Sequence, residues 1–205
     1  MIRTFLAVEL SDALRANVAS LQVDLQQRLG REISRNVRMS WIQPVSIHLT
    51  IKFLGDIDEQ LVSPMQEAIG QAIAGHSRLQ IPLERLGGFP RLQEPRVLWA
   101  GPSEVWEQSE EARRLTSLHR AIEYCCCSFD LAPENRPLSP HLTIARIKEG
   151  GHSMGQALAK SGVMDRPLSL GSLAVDSIVL MRSELKPTGS MYTKLWDVKL
   201  GAREE

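Results

Sequence analysis

His48-Leu49-Thr50-Ile51 and His141-Leu142-Thr143-Ile144 are one tetrapeptide written twice in a chain of 205 residues. The second copy begins close to half a chain length after the first. With residue frequencies of a few per cent each, a chance second copy has odds of roughly 1 in 1,000. The repeat suggests an internal duplication, or two half-sites built alike. Both copies lie in β-tolerant runs and follow a proline, Pro44 or Pro140, which suits a strand entrance. Alternate residues of a strand share a face. His48, Thr50 and Lys52 are thus expected on one face, and Ile47, Leu49, Ile51 and Phe53 on the other. In the second copy His141 and Thr143 share a face, while Leu142 and Ile144 point to the core. Each copy projects one imidazole and one hydroxyl from a buried, rigid strand.

Those residue types bound the chemistry. An imidazole with a pKa near 6.5 serves as base or acid at neutral pH. A pair can do both, one taking a proton from water and the other giving one to a leaving oxygen. Threonine hydroxyls can donate hydrogen bonds to phosphoryl oxygens. The set suits in-line displacement at a phosphodiester without a metal. A zinc site needs three or four His, Cys or carboxylate ligands. Each copy offers one, and His-Glu-x-x-His is absent. Gly189-Ser190 does not supply the nucleophile elbow of a Ser-His-Asp hydrolase, and no Gly-x-x-x-x-Gly-Lys phosphate loop is present.

Outward from the repeat, apolar spacing places the other elements. Residues 2–10 read as a strand. Ser11 caps a helix carrying Leu14, Val18, Leu21, Leu25 and Leu29, and Gly30 stops it. Residues 31–38 form a basic loop in which Arg31, Arg35 and Arg38 are either solvated or set against substrate phosphates. Residues 46–54 are a strand closed by Gly55-Asp56, and 58–74 a helix that Pro64 kinks or starts. Residues 79–86 are a strand ended by Gly87-Gly88, and 96–100 another. Ser103 caps one long helix through Leu115, Leu118 and Ile122. Residues 128–131 are a short strand, 133–140 a proline-rich loop, 141–147 a strand and 153–161 a helix. Residues 173–181 and 191–200 are strands joined through Pro187-Thr188-Gly189. No linker divides this order, so residues 1–205 read as one α+β domain with two antiparallel-rich sheets.

Composition narrows the partners. Lys+Arg and Asp+Glu both number 24, which argues against a protein that coats duplex nucleic acid. Aromatics are 5%, too few for a long base-stacking groove. Neither number excludes an enzyme that grips one phosphate at the end of a strand. No apolar run approaches the ~18 residues of a membrane span, and residues 1–10 do not read as a signal peptide. No membrane is expected. Cys125-Cys126-Cys127 fits neither a disulfide framework nor C-x-x-C spacing, and reads as inert, reduced thiols of a cytoplasmic protein. His76, His119 and His152 read as surface residues.

The chain resembles the two-histidine phosphoesterases, and within them the RNA 2',3'-cyclic phosphodiesterases of the LigT or ThpR group. The resemblance runs from Arg3-Thr4-Phe5-Leu6-Ala7-Val8 through Trp41 and His48-Leu49-Thr50-Ile51-Lys52-Phe53-Leu54-Gly55. It continues in Gly88-Phe89-Pro90, Arg96-Val97-Leu98-Trp99-Ala100-Gly101 and Pro140-His141-Leu142-Thr143-Ile144-Ala145-Arg146. It ends in Arg182-Ser183-Glu184-Leu185, Gly189 and Tyr192. It implies a bilobal α+β fold, two pseudo-symmetric lobes of antiparallel-rich sheet with flanking helices and a central cleft. It also implies metal-independent, cofactor-free hydrolysis of RNA 2',3'-cyclic phosphate ends to 2'-phosphomonoesters. His48 is then the proton donor and His141 the proton acceptor. Thr50, Thr143 and Arg146 bind the phosphate, and Phe89 and Tyr192 touch substrate. Simple alternation puts Arg146 on the face opposite His141, so its role needs a twist or strand end. Partners are RNA termini or small cyclic-phosphate nucleotides, and a monomer is expected. A reversible 2'-5' RNA ligase, and a nucleotide-binding module without turnover, stay open at this point.

Overall fold

The apolar run Phe5-Leu6-Ala7-Val8 lies within strand β1, Ile2–Glu9, which is buried except at Arg3 and, in part, Glu9. The computed structural model of the chain describes residues 1–186 and 189–202. Ser11 accepts the Leu14 backbone N–H at 3.3 Å and starts helix α1, Asp12–Leu29, whose Leu14, Val18, Gln22, Leu25 and Leu29 form the buried row. A short strand β2, Arg38–Trp41, follows where only a loop was expected. Strand β3, His48–Ile57, runs on through Gly55, which adopts a φ of +76° that a side chain would oppose. Helix α2 is Val62–Ile73, and Pro64 lies in its first turn, where a missing N–H breaks no helical bond.

The expected strand over 79–86 is two strands, β4 (Leu79–Pro82) and β5 (Arg85–Phe89). Gly87 and Gly88 lie inside β5 rather than ending it. A Cβ on Gly87 would meet the Trp99 ring at 2.0 Å, so glycine there makes room for the indole. Strand β6, Val97–Gly101, pairs with β5. The single long helix is likewise broken: Ser103 caps α3 (Glu104–Glu107), and Ser109 caps α4 (Glu110–Cys127) afresh. Residues 128–130 form a turn and 131 is irregular, in place of the expected strand over 128–131, with Asp130 at φ 58°. Strand β7 is Leu142–Glu149 and helix α5 Gly151–Ser161. Strands β8 (Ser172–Val175), β9 (Ser177–Lys186) and β10 (Gly189–Lys199) complete the chain. Pro187 and Thr188 of the expected connection lie outside the described residues.

The strands make two antiparallel sheets of unequal size. One has eight strands in the order β10-β9-β1-β3-β7-β6-β5, with β2 also on β7; the other pairs β4 with β8. Between β3 and β7 the registered pair is Leu49↔Leu142, the second residue of each tetrapeptide. The large sheet is pinched there into a β10-β9-β1-β3 half and a half built on β7. Leu49 and Leu142 are 1% and 0% exposed. Burying a leucine is worth about 1.5–3 kcal/mol, so the seam between the halves is also part of the core.

Candidate active site

At that seam β3 and β7 deliver both tetrapeptides to one cavity of about 440 Å³. His48, Thr50, His141, Thr143, Arg146, Phe89 and Tyr192 all line it. The side chains singled out from sequence are therefore brought together. Arg3 of β1 joins them. Arg31 and Arg35 do not line it and are exposed, and Arg38 pairs instead with Glu149 at 3.4 Å.

Each imidazole is held in the same way. His48 Nδ1 lies 2.8 Å from the Ser46 carbonyl oxygen, and His141 Nδ1 lies 2.7 Å from that of Ser139. A carbonyl only accepts, so Nδ1 carries a proton in both rings and Nε2 is left to exchange one. Phe5 stacks on His48 with ring centroids 4.6 Å apart, and Tyr192 meets it edge-on at 5.2 Å. Phe89 meets His141 edge-on at 4.9 Å, with Trp99 at 6.4 Å. Burial lowers the pKa of both histidines below the ordinary imidazole value, and the Arg146 charge lowers both further. His141 also lowers His48. The two serine carbonyls pull the other way.

Arg146 reaches this face because of a β-bulge. In the pairing with β6, Thr143 faces Trp99 and Ala145 faces Leu98, so Ile144 is the extra residue. The extra residue reverses the alternation and turns Arg146 into the cleft. The first copy bulges at the matching place: Thr50 faces Ala7 and Lys52 faces Leu6, leaving Ile51 over. The expected faces of Lys52 and Phe53 are thereby exchanged. Phe53 lines the cleft and is 71% exposed, whereas Lys52 is 4% exposed in the interior.

Buried polar groups from two helices meet the bulge carbonyls. Gln22 of α1 donates to Ile144 O at 2.9 Å and to Ile42 O at 2.8 Å. His119 of α4 meets the Ile51 carbonyl. His119 is 7% exposed, so it is not the surface residue expected, and burial lowers its pKa while Glu123 opposes that. Lys52 Nζ donates to Glu123 Oε2 at 2.7 Å and to Ala132 O at 2.9 Å. The same Glu123 oxygen accepts the Glu134 backbone N–H at 3.1 Å.

The remaining features lie outside the cleft. Burial pushes the Cys126 thiol up to about 12 and raises Cys125, which keeps both protonated at neutral pH. A Gly-x-Ser-x-Gly pattern is present after all, at Gly151-His152-Ser153-Met154-Gly155. It falls in α5, where Ser153 Oγ accepts from the Asn36 side chain at 3.1 Å, and Ser153 does not line the cavity. Among the described residues no three His, Cys, Asp or Glu side chains gather as a metal-ligating group.

Known proteins share this architecture. Residues 8–99 match the family described as LigT like Phosphoesterase. An RNA 2',3'-cyclic phosphodiesterase of Aeropyrum pernix is 34% identical over 165 residues, spanning 80% of this chain and 87% of its own. One from Methanothermobacter thermautotrophicus is 28% identical over 194 residues, spanning 95% of this chain and 96% of its own. A crystal structure of a Thermus thermophilus protein superposes with a TM-score of 0.70 at 26% identity, covering 99% of this chain and 100% of that one.

Proposed function

This chain belongs to the LigT-like two-histidine phosphoesterases, and from that membership we propose that it hydrolyses RNA 2',3'-cyclic phosphate ends to 2'-phosphomonoesters without a metal. His141 Nε2 takes a proton from water as the water oxygen bonds to phosphorus. The P–O3' bond breaks in line, and His48 Nε2 gives its proton to the departing O3'. Solvent exchange then returns a proton to His48 and removes one from His141. Thr50 and Thr143 donate hydrogen bonds to the non-bridging oxygens, and Arg146 balances the charge that gathers there. Phe89 and Tyr192, beside the two imidazoles, form walls for the terminal nucleoside.

The lowered pKa of His141 suits a base at neutral pH. The same lowering leaves less His48 protonated in the free enzyme, and a bound phosphate anion favours its charged form. The observation that carries the reading is the matched pair, each imidazole fixed through Nδ1 by a serine carbonyl and each followed by a cleft-facing threonine. We also read residues 1–205 as one two-lobed domain acting as a monomer in the cytoplasm; β1 pairing with both β3 and β9 supports the single domain. The test is turnover of an oligonucleotide ending in a 2',3'-cyclic phosphate, in the presence of EDTA, by the parent and by His48→Ala and His141→Ala. Near-normal rates in both variants exclude the assignment.

A further inference from the structure

A second cavity, of about 560 Å³, adjoins the first at His141. The two share Thr50, Phe53, Phe89 and His141, so they form one continuous trough. The outer wall of the second is the segment 132–139 between α4 and β7. Buried charge anchors that wall: Lys52 holds the Ala132 carbonyl and Glu123 holds the Glu134 N–H. Its end, at Ser139, is the carbonyl that orients His141.

The charges around this second cavity are spent on one another. Lys52 is paired with Glu123. Arg136 donates to both carboxylate oxygens of Glu134, at 3.2 Å each. The first cavity differs, because Arg3 and Arg146 line it and neither has an acidic partner among the described residues. An anion therefore favours the first cavity, and the second offers a surface with little free charge. On the rim common to both stands Phe53, 71% exposed. A large aromatic ring left in water beside a phosphate site has the form of a base-stacking platform.

We propose that the second cavity is the subsite for the nucleotide preceding the cyclic-phosphate end, with its base stacked on Phe53. The inference rests on the cyclic phosphodiesterase reading above and extends it to the polymer. Stacking needs only the face of a base, so the subsite takes any of the four. It also explains how a neutral chain with few aromatics can hold a strand: one phosphate in the charged cavity, one ring under the next base.

The experiment compares kcat/KM for a 2',3'-cyclic mononucleotide and for a dinucleotide bearing the same cyclic-phosphate end. The parent is expected to favour the dinucleotide about tenfold, within the range measured for one stacked base. Phe53→Ala is expected to bring that ratio toward one, and Phe53→Trp to keep it. A ratio near one in the parent overturns the proposal. So does Phe53→Ala lowering both substrates alike with the ratio intact, which places Phe53 against the terminal nucleotide. If neither substrate is turned over, the functional reading itself fails and the subsite falls with it.

Discussion

The two copies of the tetrapeptide agree up to the isoleucine and part company immediately after it. Up to Ile51 and Ile144 they share an imidazole held by a serine carbonyl, a buried leucine at the seam, a cleft-facing threonine and a bulge. The bulge then sends one residue inward and the next into the cleft. In the first copy these are Lys52 and Phe53; in the second, Ala145 and Arg146. On the proposed mechanism the shared part supplies two proton carriers held alike. The divergent part makes the site one-sided, with positive charge beside the second histidine's strand, an aromatic ring beside the first, and a buried lysine that fastens a neighbouring loop. On that mechanism proton transfer uses the likeness, and substrate orientation uses the difference.

The shared half breaks most severely. His48→Ala and His141→Ala are each expected to lower kcat by about 10²–10⁴. The double variant should cost little more than either single one, because the two act as a unit; steady-state kinetics on a cyclic-phosphate dinucleotide decides it. Unequal losses, with one copy nearly dispensable, would dissolve the equivalence. The inward residues come next. Lys52→Met leaves the mostly buried Glu123 without its lysine partner and is expected to cost about 3 kcal/mol in urea unfolding. Replacing both partners, as in Lys52→Met with Glu123→Leu, should recover most of that loss, whereas Ala145→Val tests only packing. The cleft residues follow. Arg146→Ala is expected to lower kcat about 10²–10³-fold. Gln22→Leu frees the Ile144 bulge and should reproduce part of that loss, non-additively with Arg146→Ala.

The smallest effect is on stability against pH. Folding lowers the pKa of His48, His141 and His119, so the unfolded chain binds more protons below the ordinary imidazole value of about 6.5. The stability from burying neutral rings is present above that pH and is lost as pH falls through the lower folded values. Calorimetry between pH 7 and 5 should show a falling Tm, with a shallower slope for His119→Gln. A Tm that rises on acidification reverses the sign for these rings.

The strands bearing the repeat were legible because a buried strand writes its period of two into the sequence, and helix α1 because its cap and leucine row stand together. The bulges were not legible, since two residues opposing one is a property of the pairing with β1 and β6, absent from the tetrapeptides themselves. Hence Lys52 and Phe53 were expected on exchanged faces, and Arg146 needed a reason that only the partner strand supplies. Strand β2 is an exposed arginine and three half-buried residues whose pairing with β7 is tertiary. Gln22 and His119 were legible by spacing, four residues after Val18 and Leu115 and three before Leu25 and Ile122, but their polar side chains hide the buried row they belong to. One signal was available: Ser46 and Ser139 stand two residues before each histidine, so the repeat extends to Ser-x-His-Leu-Thr-Ile.

Phosphorus NMR of a dinucleotide ending in a 2',3'-cyclic phosphate, recorded before and after incubation with the protein in EDTA, tests the central claim most directly. The matched histidines predict conversion of the cyclic resonance to a 2'-phosphomonoester, and an unchanged cyclic resonance with either His48→Ala or His141→Ala. A 3'-monoester product, or full conversion by both variants, would contradict it.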